Sequence, residues 1–223
     1  MKINLHTHQK SKDQYTLAIV NQYPREFDSS TSFFSIGIHP WYVDSDEQEN
    51  DLKLIDEYLQ QDNALALGEC GLDKRTEVPW DLQVAVFEKQ LLLAEKHKKP
   101  VIVHCVAAFQ EVVELKNKNG ISVPLIFHGF SKNKQVAAML LKEGAYLSFG
   151  KYLLRNPELS EVFKTMPLDR IFLETDTMEE TIEEVYVKAS EILGLSISEI
   201  ELQINKNAQA VFGFSESLQK VIK

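Results

Sequence analysis

Residues 64–69 read Ala-Leu-Ala-Leu-Gly-Glu, a short apolar run that ends in a carboxylate, and residues 101–104 read Val-Ile-Val-His. Between these two runs, residues 79–99 repeat apolar side chains at helical spacing, with Phe87 and Leu91 on one face. A buried strand, an amphipathic helix and a second buried strand form a β–α–β unit, in which the two strands are parallel. This stretch therefore predicts an α/β fold with a parallel sheet.

The same alternation of short apolar runs and longer amphipathic ones continues along the rest of the chain. Signals for helix starts include Ser131 and the pair Asn156-Pro157, in which proline takes the first helical position. Two further amphipathic stretches predict helices over residues 181–193 and 198–212. Alternation of this kind is typical of parallel strands joined by crossover helices.

Eight strands are predicted, at residues 2–6, 16–21, 33–39, 64–69, 100–104, 124–128, 145–149 and 170–174. Eight strands in this order indicate a (β/α)8 TIM barrel, with an open doubly wound sheet as the competing arrangement. Only about eight residues separate the first two strands, too few for a full crossover helix, so we expect that connection to be abbreviated. The length of 223 residues predicts a single domain over residues 1–223.

The composition excludes several classes of protein. Hydrophobic residues make up 44 % and charged residues 26 % of the chain, proportions typical of a globular protein and not of disorder, collagen or a coiled coil. The net charge of −9 repels a polyanion, so a stable nucleic-acid partner is not expected. No apolar run is long enough to span a bilayer and the start lacks a secretory pattern, which predicts a cytoplasmic protein without a membrane partner.

The polar residues that end these strands are the ones that carry chemistry. His6 and His8 close the first strand, and residues i and i+2 of a strand share a face. The other strand-end candidates are Glu69, His104, His128 and Asp176. In a barrel the carboxyl ends of the strands meet at one face, where active sites lie.

This set of side chains suits divalent metal ions. Imidazole nitrogens with carboxylate oxygens can bind zinc, manganese, iron or a pair of magnesium ions. A carboxylate placed between two histidine groups can bridge two ions, which then act together on one water molecule in a hydrolysis. Glu69 is the candidate bridge. We therefore expect one or two divalent ions, zinc, magnesium or manganese among them.

A resemblance adds to this interpretation. The relevant motifs are His6-x-His8, Gly37-Ile-His39-Pro40, Gly68-Glu-Cys-Gly-Leu-Asp73, Phe87-x-x-Gln90-Leu91, Val101-Ile-Val-His104, His128-x-Phe130-Ser131, Glu174-Thr-Asp176, Asn207-Ala208 and Phe212-Gly213. Together, and in this order, they resemble the TatD family of metal-dependent hydrolases. The resemblance implies a TIM barrel of the amidohydrolase type, divalent metals at the strand ends, and hydrolysis of phosphodiesters, commonly as a deoxyribonuclease.

The resemblance also implies a role for each residue. One metal would be held by His6, His8, Glu69 and Asp176, and the other by Glu69, His104 and His128. Asp176 would in addition orient or deprotonate the attacking water, so that Asp176 and Glu69 are the expected catalytic residues. His39, Asp73 and Glu174 would either bind the ions or orient the side chains that do; for His39 a purely structural role is the alternative.

Several positions depart from the family pattern. Asn4 stands where an acid is usual, Val106 where an arginine is usual, and Lys132 where a glycine is usual. After Asp176 the chain runs through Thr177 towards a helix in place of a long polar loop. These changes remove planar groups that pair with phosphate, so the metal ligands are retained while the usual nuclease pocket is not.

The sequence leaves three functions open. The first is a metal-dependent hydrolase acting on DNA or a small phosphoester. The second is an amidohydrolase or lactonase with a small substrate, which the missing arginine favours. The third is a metal-binding remnant without turnover, since a fold alone does not secure a function. The oligomeric state is left open as well.

Overall fold

The computed structural model describes residues 1–11 and 13–213. Its strands are β1 (Lys2–Thr7), β2 (Thr16–Gln22), β3 (Phe34–Ile36), β4 (Ala64–Asp73), β5 (Val101–Val106), β6 (Leu125–Phe127), β7 (Tyr146–Phe149) and β8 (Ile171–Leu173). Its α-helices are α1 (Gln48–Tyr58), α2 (Trp80–His97), α3 (Phe109–Lys118), α4 (Lys134–Lys142), α5 (Lys151–Arg155), α6 (Pro157–Phe163), α7 (Ile182–Leu193) and α8 (Ile197–Phe212). Short 3-10 turns cover Pro24–Glu26, Pro40–Tyr42 and Leu168–Arg170.

The predicted fold class is confirmed. The strands form one sheet in chain order from β1 to β8, the neighbouring pairs β2–β3, β3–β4, β4–β5, β5–β6 and β7–β8 are parallel, and helices follow them as in a (β/α)8 barrel. All eight predicted strands are present, and no helix in the described residues joins β1 to β2, as expected. The doubly wound alternative is wrong.

Four strand ends differ from the prediction in a way that matters for the site. β4 continues past Glu69 to Asp73, so Glu69 lies within the strand, and β8 ends at Leu173, so Glu174 lies just beyond it. β3 ends at Ile36 and β6 at Phe127, so His39 and His128 lie on the loops just beyond their strands. Asn133, not Ser131, caps α4, with its side chain accepting from the N–H of Val136. Both residue types favour the cap position, and the hydrogen bond decides between them.

The described residues form two compact units, residues 20–127 and residues 1–19 with 128–213. In the first unit, α2 covers β4 with the buried side chains of Phe87 and Leu91. Gln90 of α2 accepts from the N–H of Ile38 at 2.7 Å and donates to its carbonyl at 3.2 Å. This pair of buried hydrogen bonds fixes the backbone next to His39.

In the second unit, two polar side chains from the C-terminal helices hold the strands. The buried hydroxyl of Tyr186 accepts from the N–H of Ile3 at 3.0 Å and donates to its carbonyl at 3.2 Å, and burial raises the pKa of this phenol. Asn207 donates to the carbonyls of Leu168 and Ile171 at 2.8 and 2.9 Å. These contacts secure β1 and β8, which carry part of the candidate site.

Helices α7 and α8 begin with capping boxes. Thr181 and Ser196 each accept from the backbone N–H three residues on, while Glu184 and Glu199 accept in return from the cap residue. Helix α7 therefore starts one residue after the predicted position, and α8 one residue before it. Among the described residues, no helix is both long and apolar enough to cross a bilayer.

Candidate metal centre

The unit formed by residues 1–19 and 128–213 brings three predicted ligands together. His6, His8 and Asp176 each offer a ligand atom, and these atoms lie within 4.8 Å of one another. Nε2 of His6 and Nε2 of His8 lie 3.7 and 3.5 Å from Oδ1 of Asp176. His6 lies on β1 and His8 is the first residue beyond it, and the imidazoles of both face Asp176.

The backbone sets the position of Asp176. Its N–H donates to the carbonyl of His6 at 2.9 Å, and its carbonyl accepts from the N–H of His8 at 3.2 Å. The φ of Asp176 is 51°, in the left-handed region where aspartate and asparagine are the most tolerated residues after glycine. Strained backbone of this kind persists where the surroundings over-determine it, here through the bonds to β1.

Asn4 has a structural role in this unit. Its amide donates to the hydroxyl of Thr175 at 2.8 Å, and its carbonyl oxygen accepts from the N–H of Thr175 at 3.0 Å. The asparagine side chain supplies both a donor and an acceptor, and both are used by Thr175. The pair ties β1 to the residue next to Asp176.

His128 and Glu174 lie in the same unit. Nδ1 of His128 is 3.6 Å from Oε1 of Glu174, which also accepts from the N–H of Gly129 at 2.6 Å. Burial raises the pKa of Glu174, but hydrogen bonding and charge from His128, with smaller contributions from His6, outweigh it and leave the pKa below 4.5. The ring centroids of His6 and His128 are 4.5 Å apart, so Glu174 is placed to orient an imidazole beside the group formed by His6, His8 and Asp176.

The unit formed by residues 20–127 contains a second group. Ligand atoms of His39, Glu69 and His104 lie within 4.8 Å of one another. Oε1 of Glu69 is 2.9 Å from Nδ1 of His104 and 3.3 Å from Nε2 of His39. The backbone N–H of Glu69 donates to Oδ1 of Asn21 at 2.7 Å, a buried bond that anchors this point of β4 to β2.

The contacts of His39 determine which of its two ring nitrogens carries the proton. Nδ1 of His39 accepts from the backbone N–H of Trp41 at 3.1 Å. A neutral imidazole then carries its proton on Nε2, the atom that faces Glu69. His39 is therefore arranged to donate to the Glu69 carboxylate, and in this tautomer neither of its nitrogens is available to a metal.

Asp73 supports His104 from the other side. Its Oδ2 accepts from the indole N–H of Trp41 at 2.7 Å and lies 3.3 Å from Nε2 of His104, while Oδ1 accepts from the N–H of Arg75 at 2.8 Å. Burial raises the pKa of Asp73, but these hydrogen bonds outweigh it, so the pKa falls below its ordinary value of 3.8. A carboxylate on the far nitrogen of a histidine is the usual way to orient a metal ligand.

The donor sets fit divalent metal ions. One unit offers two imidazoles and one carboxylate, and the other offers one imidazole and one carboxylate. Zinc, manganese and iron accept such nitrogen and oxygen ligands. Acidic side chains that lie close together on a protein surface without binding a metal are exposed to solvent. His6 and Glu69 are instead buried.

Two residues of the site were missed by sequence reasoning. Asn21 ends a predicted strand, as Glu69 and His104 do. Counting amides as well as histidines and carboxylates at predicted strand ends would have included Asn21. Trp41 follows the motif Gly37-Ile-His39-Pro40, but nothing in the sequence connects it with Asp73.

Comparison with known proteins places the chain in a family. The family model described as TatD related DNase matches residues 3–213. The chain belongs to the TatD family. This TatD protein is thus a member of a family of metal-dependent hydrolases, some of which are nucleases.

Individual relatives agree with this assignment. The metal-dependent hydrolase YabD of Bacillus subtilis is 38 % identical over 149 residues, which cover 65 % of this chain and 58 % of YabD. The human 3'-5' RNA nuclease TATDN2 is 33 % identical over 152 residues, covering 64 % of this chain and 19 % of the nuclease. The matches span between half and two thirds of the first bacterial relatives.

A solved structure supports the fold. The TatD homologue YjjV of Escherichia coli K12 superimposes with a TM-score of 0.82 over 96 % of this chain and 98 % of YjjV, at 20 % identity. At that identity the likeness bears on the barrel fold alone. The roles predicted for individual site residues stay predictions.

Proposed function

We propose that this chain is a divalent-metal-dependent hydrolase that cleaves phosphodiester or related phosphoester bonds of small substrates. The observation that carries the proposal is the convergence of His6, His8 and Asp176 on a common point, with all their ligand atoms within 4.8 Å. Bound divalent ions would supply Lewis-acid polarisation of a phosphoryl oxygen and would lower the pKa of water.

The side chains of the chain itself have separate tasks in this proposal. His6, His8 and Asp176 would hold an ion in one unit, and Glu69 and His104 would hold one in the other. The sharing of Glu69 between two ions, with His128 as a further ligand of the second, stays a prediction. Asp176 accepts the proton of the attacking water, for which a carboxylate within hydrogen-bond reach is required. His39 donates to Glu69, Asp73 orients His104 and Glu174 orients His128.

Val106 favours a small substrate and leaves a second candidate function open. It stands at the end of β5, paired in register with Asp73, where the family resemblance expects an arginine. An apolar residue at that place provides no partner for a flanking phosphate, so an amide or lactone substrate is the second candidate. A cytoplasmic location, and the lack of a membrane or stable nucleic-acid partner, also stay predictions.

The test is turnover with defined metal content. The purified protein is stripped with a chelator, reloaded with zinc, manganese or magnesium, and assayed on bis(p-nitrophenyl) phosphate, a lactone panel and single-stranded DNA. Phosphodiester turnover that needs metal and is lost in Asp176→Asn supports the proposal. Metal-dependent turnover of lactones alone supports the second candidate, and no turnover of any substrate by metal-loaded protein contradicts both.

A further inference from the structure

A cleft opens beside His39 within residues 20–127. Its volume is about 560 Å³, and it is lined by Tyr23, Arg25, Tyr42 and Asp51 among others. Clefts that bind small molecules have volumes of roughly 300–1,000 Å³. His39 lines this cleft and also belongs to the group of His39, Glu69 and His104. An occupant of the cleft would therefore lie next to the candidate metal centre.

One side of the cleft is aromatic. The rings of Tyr23 and Tyr42 meet edge to face, with centroids 5.6 Å apart and planes at 83°, and Tyr42 lies 5.6 Å from the ring of His39. Tyr42 is 54 % exposed despite these contacts. A half-exposed aromatic face held by two other rings is pre-organised for stacking with a planar group.

The lining of the cleft also includes a cation, Arg25. Nε of Arg25 lies 3.0 Å from Oδ1 of Asp51, a carboxylate whose side chain is only 3 % exposed, while the arginine side chain is 46 % exposed. Asp51 thus holds one edge of the guanidinium. Because a guanidinium has five N–H donors in a rigid plane, it can keep that contact and still bind a phosphate.

A carboxylate limits how much negative charge the cleft accepts. Glu26 also lines it, and the chain carries a net charge of −9. One phosphate can pair with Arg25, but further phosphates would meet Glu26 and Asp51 without a matching cation from this cleft. The charges therefore favour one anionic group next to one planar ring.

We infer that this cleft binds a single nucleotide unit of the substrate, with the base against Tyr42 and the phosphate on Arg25. The inference rests on the proposed function, since it places the nucleotide beside the hydrolytic centre. It narrows the substrate class to esters of a mononucleotide or the terminal nucleotide of a strand, and away from the interior of long DNA.

Binding can be measured apart from catalysis. Adenosine 5'-monophosphate, adenosine and inorganic phosphate are titrated by calorimetry into the full protein in the presence of EDTA. We expect the nucleotide to bind at least about tenfold more tightly than either adenosine or phosphate. Equal affinity for the nucleotide and phosphate, or no binding of the nucleotide, would overturn the inference.

Variants at Tyr42 and Arg25 test whether the nucleotide binds in this cleft. Tyr42→Ala should weaken nucleotide binding at least about fivefold, whereas Tyr42→Phe keeps the ring and most of the affinity. Arg25→Gln leaves the buried Asp51 unpaired and endangers the fold, so it is compared with the double variant Arg25→Gln/Asp51→Asn, checked by circular dichroism. Unchanged affinity in the folded double variant and in Tyr42→Ala would place the nucleotide elsewhere and refute the inference.

Turnover separates this inference from the proposed function. The p-nitrophenyl ester of thymidine 5'-phosphate is compared with methyl p-nitrophenyl phosphate, which has the same scissile bond and no base. In Tyr42→Ala the ratio of the two kcat/KM values should fall at least about fivefold through KM, while Tyr152→Ala, at another exposed tyrosine, keeps the ratio. If neither ester is cleaved, the proposed function fails and calorimetry still decides on the cleft; if both are cleaved with an unchanged ratio, only the cleft assignment fails.

Discussion

Trp41 donates its indole N–H to Oδ2 of Asp73 at 2.7 Å, across 32 residues of sequence. Trp41 is 55 % exposed and Asp73 is 2 % exposed, so the bond joins a surface residue to a buried one. The same oxygen faces Nε2 of His104 at 3.3 Å. A surface aromatic residue thus holds the carboxylate that orients a candidate metal ligand.

Trp41→Phe should destabilise the fold, because it removes a donor to a buried carboxylate. Hydrogen bonds to charged groups contribute about 1.5–3 kcal/mol, and we expect a loss of about 1–2 kcal/mol in the free energy of unfolding by urea. The single variant Asp73→Ala and the double variant Trp41→Phe/Asp73→Ala complete a cycle for the pair, since alanine leaves no oxygen to accept from the indole N–H. A coupling energy near zero would show that the two side chains act independently.

Asp176→Asn should fold normally, keep most of its bound metal and lose turnover. Asparagine tolerates the left-handed backbone at φ 51°, and its amide oxygen can still coordinate but cannot take a proton from water. Asp176→Ala is the matched variant, and its Cβ without a polar partner should cost about 1 kcal/mol more in stability. Full turnover in Asp176→Asn would remove Asp176 from the role of base.

The stability of α2 should depend on pH through Glu95. Its carboxylate pairs with Lys98 and accepts from the N–H groups of Ser122 and Val123 at 2.7 and 3.2 Å. Chiefly the contact with Lys98, followed by the bonds from Ser122, lowers its pKa from 4.5 to about 2.

A lowered pKa means that the folded state favours the ionised form, so the stabilisation is complete above the unfolded value and is lost as the pH falls towards 2. The difference in unfolding free energy between the native protein and Glu95→Gln should therefore shrink by up to about 1 kcal/mol from about pH 6 to about pH 3, allowing for solvent screening. A difference that is constant with pH would contradict this assignment.

DNA should be a poor substrate, with a shallow dependence on salt. Each phosphate neutralised by a protein cation steepens the fall of affinity with salt, and Val106 provides no such cation. Val106→Arg should raise phosphodiester turnover if the missing contact matters, by at most the about 1.5–3 kcal/mol of one charged hydrogen bond. Rapid degradation of DNA by the native protein, with affinity that collapses between about 50 and 200 mM salt, would show that other cations grip the backbone.

The sequence predicted the parts of the site that follow from strand periodicity. His6 and His8 share a face because they are two residues apart. Glu69, His104 and Asp176 were predicted because each follows an apolar run, although Glu69 and His104 lie within their strands and Asp176 lies beyond β8. Each of the two groups forms within one compact unit of the structure.

The rest depended on contacts that no local pattern encodes. The tautomer of His39 is set by the turn Pro40–Tyr42, which brings the N–H of Trp41 onto Nδ1. The left-handed backbone of Asp176 is held by its two backbone bonds with His6 and His8. The indole contact to Asp73 joins a turn to the end of a strand, a tertiary contact between residues far apart in sequence.

Metal content tests the central claim most directly. The native protein and the Glu69→Gln variant are stripped, reloaded with zinc or manganese, dialysed and analysed by plasma mass spectrometry. We predict one or two equivalents in the native protein and a clear loss in Glu69→Gln, since a neutral amide is a poor bridge between two dications. Native protein that retains no stoichiometric metal would contradict the proposed metal centre, and a Gln variant with undiminished metal would contradict the shared ligand.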